Sequence, residues 1–145
     1  MPHLEVPLTE GALAFVVEIE VSQAPAIIAY LKRRGEAVPE PLRMRALVDT
    51  GAGICAATAE MIGRLKLPSK SAKRQEIMTA GGAIQSKEYY GALRLAGLHE
   101  LTVDYATICQ FDFVDSPFDF ILGMNVLSRW NWRYTHAGMR LVFES

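Results

Sequence analysis

The sequence predicts a mostly β domain with two or three short helices. Three observations carry that reading. Runs rich in β-branched and aromatic residues recur along the chain, and Gly, Pro, Asn or Asp turns separate them. Few segments place apolar residues at helical spacing between recognisable start and stop residues. The 145 residues, 50% of them hydrophobic, match one ordinary domain with enough apolar material for a core.

Residues 12–21 are rich in β-branched residues and alternate near their end, which reads as a strand. After Pro25, the run Ala26 to Arg34 has apolar residues at helical spacing, basic residues in its last turn and Gly35 just beyond, so it reads as a helix. Pro39 and Pro41 make a loop, and Leu42 to Val48 is a second strand running into Asp49. If the two strands pair, the connection between them is long for a hairpin and must hold structure of its own. Residues 22–43 are therefore expected to be a helical insertion between the first strands. Thr58 is placed to cap a helix reaching Leu65 or Lys66, with Met61, Ile62 and Leu65 on its apolar face and Pro68 closing it.

Residues 73–79 read as a strand, Thr79-Ala80-Gly81-Gly82-Ala83 as a turn and 84–95 as the returning strand. Such a tip can be a lid, but its residues alone favour an ordinary exposed hairpin. Leu98 to Val103 and Tyr105 to Phe113 are two further β-rich runs, followed by a turn at Asp115-Ser116-Pro117. Phe118 to Gly123 is a short apolar strand stopped by glycine, and Met124 to Trp130 gives one or two helical turns. Trp132 to Phe143 reads as a final hairpin turning at Ala137-Gly138.

Charge and cysteine usage exclude several function classes. A formal net charge of -1 and a pI near 6.3 give no electrostatic footprint for nucleic acid, and Lys32-Arg33-Arg34 is best read as a solvated helix end. No apolar stretch approaches the roughly 20 residues that span a bilayer, and the N-terminus lacks a secretory pattern. A cytoplasmic protein without a membrane segment is expected. Cys55 and Cys109 lack metal or disulfide spacing and read as small core residues. His3, His99 and His136 stand alone, so neither a metal nor another cofactor is expected. Ser116 and Ser128 lack the nucleophile-elbow glycines, and Gly81-Gly82 lacks the end of a phosphate loop.

What remains is one carboxylate delivered on a tight turn out of an apolar strand: Leu47-Val48-Asp49-Thr50-Gly51-Ala52. About seventy residues later come Phe120-Ile121-Leu122-Gly123 and the helix-like Met124-Asn125-Val126-Leu127, with the glycine-containing hairpin between. The combination, covering roughly residues 44–130, resembles the retropepsin family of single-domain, retroviral-type aspartic proteases, and in particular its cellular and bacterial members. With strand 12–21 and the terminal hairpin the resemblance spans most of the chain, leaving 22–43 outside it.

The resemblance implies a closed acid-protease β-barrel and an endopeptidase acting on protein or peptide substrates. An isolated Asp is a poor general base near neutral pH. Two aspartates in contact cannot both ionise, so the pair shares a proton; one member takes a proton from water while the other gives one to the peptide carbonyl. This chain has one Asp-Thr-Gly triplet. The family pattern therefore implies an obligate homodimer, with Asp49 of each copy beside a twofold axis. It further implies that Thr50 hydrogen-bonds to the partner chain beneath the dyad, Gly51 lets the backbone turn close to the carboxylates, and Ala52 leaves room for substrate main chain. Thr79, Ala80, Gly81 and Gly82 take the flap position over an extended peptide. Ile121, Leu122, Gly123 and Asn125 take supporting positions under the active-site loop.

There are departures from the family pattern. Viral members often carry acidic residues after Asp-Thr-Gly-Ala to grip substrate, where this chain has Gly53-Ile54. The helix at 58–66 fits cellular members better, and the four-stranded terminal sheet of many viral dimers is not to be assumed. Two other readings stay open: a noncatalytic peptide-binding or dimerisation module of the same fold, and a zymogen-like form in which residues 1–43 block the cleft.

Overall fold

A computed structural model describes residues 2–9, 14–70, 75–79, 82–137 and 139–145. Six strands close into a barrel: β2 (Val16–Ser22), β3 (Leu42–Val48), β9 (Phe120–Leu122), β4 (Cys55–Ala57), β8 (Thr102–Gln110) and β7 (Glu88–Leu95), in that order around it. The predicted mostly β class, closed barrel and short helices are thus observed. The first two barrel strands show why the alternation was readable. Val17, Ile19 and Val21 of β2 and Met44 and Ala46 of β3 point into the core, while Glu18 and Glu20 face Arg45 and Arg43 across the outer surface. Burying a side chain such as Ile19 stabilises the fold by about 1.5–3 kcal/mol, whereas an exposed ion pair such as Arg43–Glu18 at 3.4 Å adds about 1 kcal/mol or less.

Helix α1 (Pro25–Arg33) lies between β2 and β3, with Pro25 in its first turn and Lys32 and Arg33 in its last. Helix α2 (Ala59–Leu65) begins where Thr58 caps it: the hydroxyl accepts from the Met61 N–H at 3.3 Å. It ends at Lys66 in the left-handed conformation. Helix α3 (Met124–Leu127) is a single turn following β9.

Outside the barrel, β1 (His3–Pro7), β11 (Arg140–Glu144) and β10 (Asn131–Thr135) form a three-stranded antiparallel sheet with β11 in the middle. Phe143 at its centre is fully buried and meets Trp130 edge to face. The hairpin of β5 (Gln75–Thr79) and β6 (Gly82–Ser86) stands apart as its own two-stranded sheet.

Several boundaries differ from the sequence reading. The expected strand 84–95 is two strands, β6 and β7, broken at Lys87. The two expected runs 98–103 and 105–113 are instead the single strand β8: exposed Asp104 sits where the register against β7 shifts between Gly91 and Leu93, and the strand runs through that irregularity. Leu98 belongs to the turn between β7 and β8. The expected strand 12–21 is observed as β2 from Val16, and residues 12 and 13 lie outside the described residues. Strands β1 and β4 had no counterpart in the sequence reading. The three residues Cys55, Ala56 and Ala57 of β4 are all buried and offer no alternation to read.

Candidate active site

Asp49 is the first residue beyond β3 and is held from both sides. Its backbone N–H donates to the Leu122 carbonyl at 3.1 Å, and its own carbonyl accepts from Ala52 N–H at 3.2 Å, closing the turn. Its carboxylate accepts from the Gly51 N–H at 2.9 Å, which aims the side chain back over its own loop. A Cβ on Gly51 would stand 3.2 Å from that carboxylate oxygen, so glycine keeps the space beside it clear. Asp49 is half-buried, and Thr50, Gly51 and Gly53 are exposed.

The far side of the loop is fastened by the turn that opens α3. Met124 N–H donates to the Ala52 carbonyl at 2.7 Å and Asn125 N–H to the Gly53 carbonyl at 3.1 Å. The Asn125 side chain continues the seam: Oδ1 accepts from Cys55 N–H at 3.0 Å and Nδ2 donates to the Thr107 carbonyl at 2.9 Å. Gly123 is demanded by space. A Cβ there would lie 2.7 Å from the Ile54 carbonyl carbon and 3.0 Å from the Ala52 oxygen. Its N–H donates to Cys55 Sγ at 3.3 Å. Burial pushes the Cys55 thiol up to about 12, so the sulfur stays neutral in this seam. Leu122 is fully buried and Ile121 half-buried beneath the loop.

The structure thus brings Asp49, Thr50, Gly51 and Ala52 together with Ile121, Leu122, Gly123 and Asn125. The flap position is less complete. Thr79 pairs with Gly82, whose φ of +111° suits glycine, but Ala80 and Gly81 lie outside the described residues. The base of this hairpin is tied to the barrel by buried Ser86, whose hydroxyl donates to the Gln110 carbonyl at 2.9 Å and accepts from Gln110 N–H at 3.1 Å. Ser86 escaped the sequence reading, and Cys55, read as a small core residue and indeed buried, was not expected to bond within the seam. Spacing alone gives no sign of Ser86, and none of the part that Cys55 takes beside Gly123.

The other aspartates near this end of the barrel hold backbone. Asp119 accepts from Arg45 N–H at 2.8 Å and Asp112 from Ala59 N–H at 3.0 Å. Among the described residues, no group of three or more His, Cys, Asp or Glu is placed to hold a metal ion.

The family described as "gag-polyprotein putative aspartyl protease" matches residues 40–129, from the loop before β3 through the end of α3. The chain belongs to this aspartyl protease family. The match takes in the Asp49 loop, the hairpin and the Gly123 seam, and stops short of α1 and the terminal sheet. Among solved structures, the retropepsin-like aspartic protease from Rickettsia conorii superposes with a TM-score of 0.60 at 16% identity, covering 97% of this chain and 89% of that one. That likeness extends the retropepsin-like fold over both ends of this chain. The simian foamy virus protease aligns at 18% identity over 78% of this chain and 91% of its own, with a TM-score of 0.44. No curated protein matches the sequence. Among the described residues of this family member, no helix is long and apolar enough to cross a membrane.

Proposed function

We propose that the protein is an aspartic endopeptidase, active as a homodimer in which Asp49 from each copy forms the catalytic dyad. The observation that carries this is the Asp49 turn itself, with its carboxylate oriented by Gly51 N–H and its backbone fixed by Leu122 and α3. Such preorganisation is what a group that must share one proton with its twin requires. One carboxylate then accepts a proton from water, the water attacks the peptide carbon, and the protonated carboxyl of the other copy donates to the carbonyl oxygen. The tetrahedral intermediate collapses as a proton is returned to the leaving nitrogen. Thr50 fastens the two loops to each other, Ala52 leaves space for the substrate main chain, and residues 79–82 close over it.

A second copy has a fitting approach. Strand β10 is an edge of the terminal sheet, and its half-exposed Tyr134 packs edge to face on Phe15 at 5.9 Å. The Phe15 carbonyl accepts from Val48 N–H, one residue before Asp49. A copy docking on this edge sits beside the strand that carries the acid, on a sheet edge that favours self-pairing.

Incubation with a peptide library between pH 4 and 7, beside Asp49→Asn and with sedimentation velocity in parallel, tests the reading. Cleavage by the wild type and none by Asp49→Asn is expected, together with a dimer at working concentration. Cleavage surviving Asp49→Asn overturns the mechanism, and a monomer at every concentration overturns the dyad. Peptide binding by a wild type that never cleaves makes the protein a binding module of this fold.

A further inference from the structure

The hairpin of β5 and β6 leaves the barrel at a fork. The β7–β8 ladder ends at the pair Glu88 and Cys109, and the contact that would extend it, from Gln110 N–H to the Lys87 carbonyl, is stretched to 3.4 Å. The Ser86 hydroxyl takes the next place instead. It accepts from that same Gln110 N–H at 3.1 Å and donates to the Gln110 carbonyl at 2.9 Å, with the Lys87 carbonyl at 3.1 Å as the alternative acceptor for its one proton. A side chain here does what strand backbone does elsewhere, which frees the main chain to carry β6 away from the barrel. Ser86 is 3% exposed and is the last residue of β6, paired with Gln75, so its anchor acts on the hairpin directly. The other root is looser: Lys70 N–H donates to the Glu88 carbonyl at 2.8 Å and Lys70 Nζ lies 3.4 Å from the Glu88 carboxylate, but residues 71–74 come between Lys70 and β5.

Gln110 also belongs to the framework that holds Asp49. It pairs with Ala57 at one end of β4, and Phe111 N–H donates to the Ala57 carbonyl at 2.9 Å. At the other end of β4, Cys55 bonds to Asn125 and Gly123 in the seam behind the Asp49 loop. Three buried residues, about 10 Å of extended backbone, thus separate the anchor of the hairpin from the anchor of the acid. Close-packed interior of this kind transmits position. We infer that Ser86 is a positioning residue for the proposed reaction, setting the hairpin at a fixed angle to the Asp49 loop so that it meets substrate already oriented. This rests on the aspartic endopeptidase reading. When only a fraction of molecules holds the competent orientation, apparent affinity falls by that fraction while the bound complex reacts as before. Loss of the Ser86 hydroxyl therefore belongs in KM and not in kcat.

Ser86→Ala, Ser86→Thr and Val103→Ala, compared with the wild type in a fluorogenic peptide assay and by residual dipolar couplings of backbone amides, test this. In the wild type the amides of β5, β6 and the barrel should fit one alignment tensor. In Ser86→Ala the hairpin should keep its own pairing but need a separate, weaker tensor, and KM should rise about tenfold, for a competent fraction of about one-tenth, with kcat within about twofold. Ser86→Thr keeps the hydroxyl and should restore both. Val103→Ala truncates the core at the far end of β8 and should lower the melting temperature at least as far, with KM and couplings unchanged. Should the added methyl of threonine unfold the chain, the two alanine variants decide. A single tensor in Ser86→Ala, an unchanged KM, or an equal rise in KM for Val103→Ala overturns the inference. Absence of cleavage by the wild type strikes the protease reading instead, and the clasp is then judged on the couplings alone.

Discussion

Helices α3 and α1 are attached to the barrel in opposite ways. The four residues of α3 place Val126 and Leu127 at full burial, and its first two N–H groups close the active-site loop. The nine residues of α1 include no fully buried side chain, and Ile27, Tyr30 and Leu31 line a solvent-open groove. Length and periodicity, which make a helix easy to read in sequence, are therefore no guide to how much structure depends on it. The site is held by the shorter and less conspicuous element, because its work is done by backbone groups and one amide side chain.

The largest expected effect lies on the site side of this contrast and concerns chemistry alone. Asp49→Asn should lower cleavage by about 10²–10⁴-fold or more while leaving the melting temperature near that of the wild type, as read by a fluorogenic peptide assay and calorimetry. Gly123→Ala should cost about 1–3 kcal/mol or more in urea unfolding, since its Cβ meets the Ile54 carbonyl at 2.7 Å and that backbone cannot retreat without moving the Asp49 loop. Asn125→Ala leaves Cys55 N–H and the Thr107 carbonyl without their partner and should cost about 2 kcal/mol, with activity falling further than stability.

Alkaline stability sharpens the same side. The Cys55 thiol ionises near 9.0 in the unfolded chain but near 12 in the fold, so its contribution is fully present below pH 9 and is lost as pH rises between those values. That loss runs at about 1.4 kcal/mol per pH unit, and Cys55→Ala should make the decline in this window shallower, most clearly above pH 11 where buried Cys109, raised to about 11, has finished titrating, when measured by denaturant unfolding. On the other side, Leu31→Ala removes a half-buried residue from α1 and should cost about 1 kcal/mol or less, with cleavage unchanged. A loss comparable to that of Asn125→Ala would dissolve the contrast between the helices.

What was legible in the sequence follows from where the determining contacts lie. Leu42–Val48 reads correctly because Met44 and Ala46 face a core while Arg43 and Arg45 face water. Helix α2 reads correctly because Thr58 and Met61 make its cap within one turn. Strand β4 does not, since three small residues become a strand only through β8 and β9, both distant in the chain. The same holds within the site. The Asp49 turn and Gly123 are visible as motifs, and Asn125 as a position. That Asn125 would clasp Cys55 and Thr107, and that Ser86 would pin the hairpin to Gln110, depends on pairings that no local pattern encodes.

The place of β9 between β3 and β4 has a consequence in time. Residues 49–54 link two strands that do not touch each other; they are joined only when Phe120–Leu122 inserts between them, parallel to one and antiparallel to the other. During synthesis the acid emerges some seventy residues before the wedge that gives its turn a shape. A ribosome-bound chain that has released β1 through β8 already carries Asp49, yet lacks the carbonyl that binds its N–H and the helix that clamps its loop. Whatever Asp49 does, it cannot do it before Phe120–Leu122 and Met124–Leu127 have joined its loop.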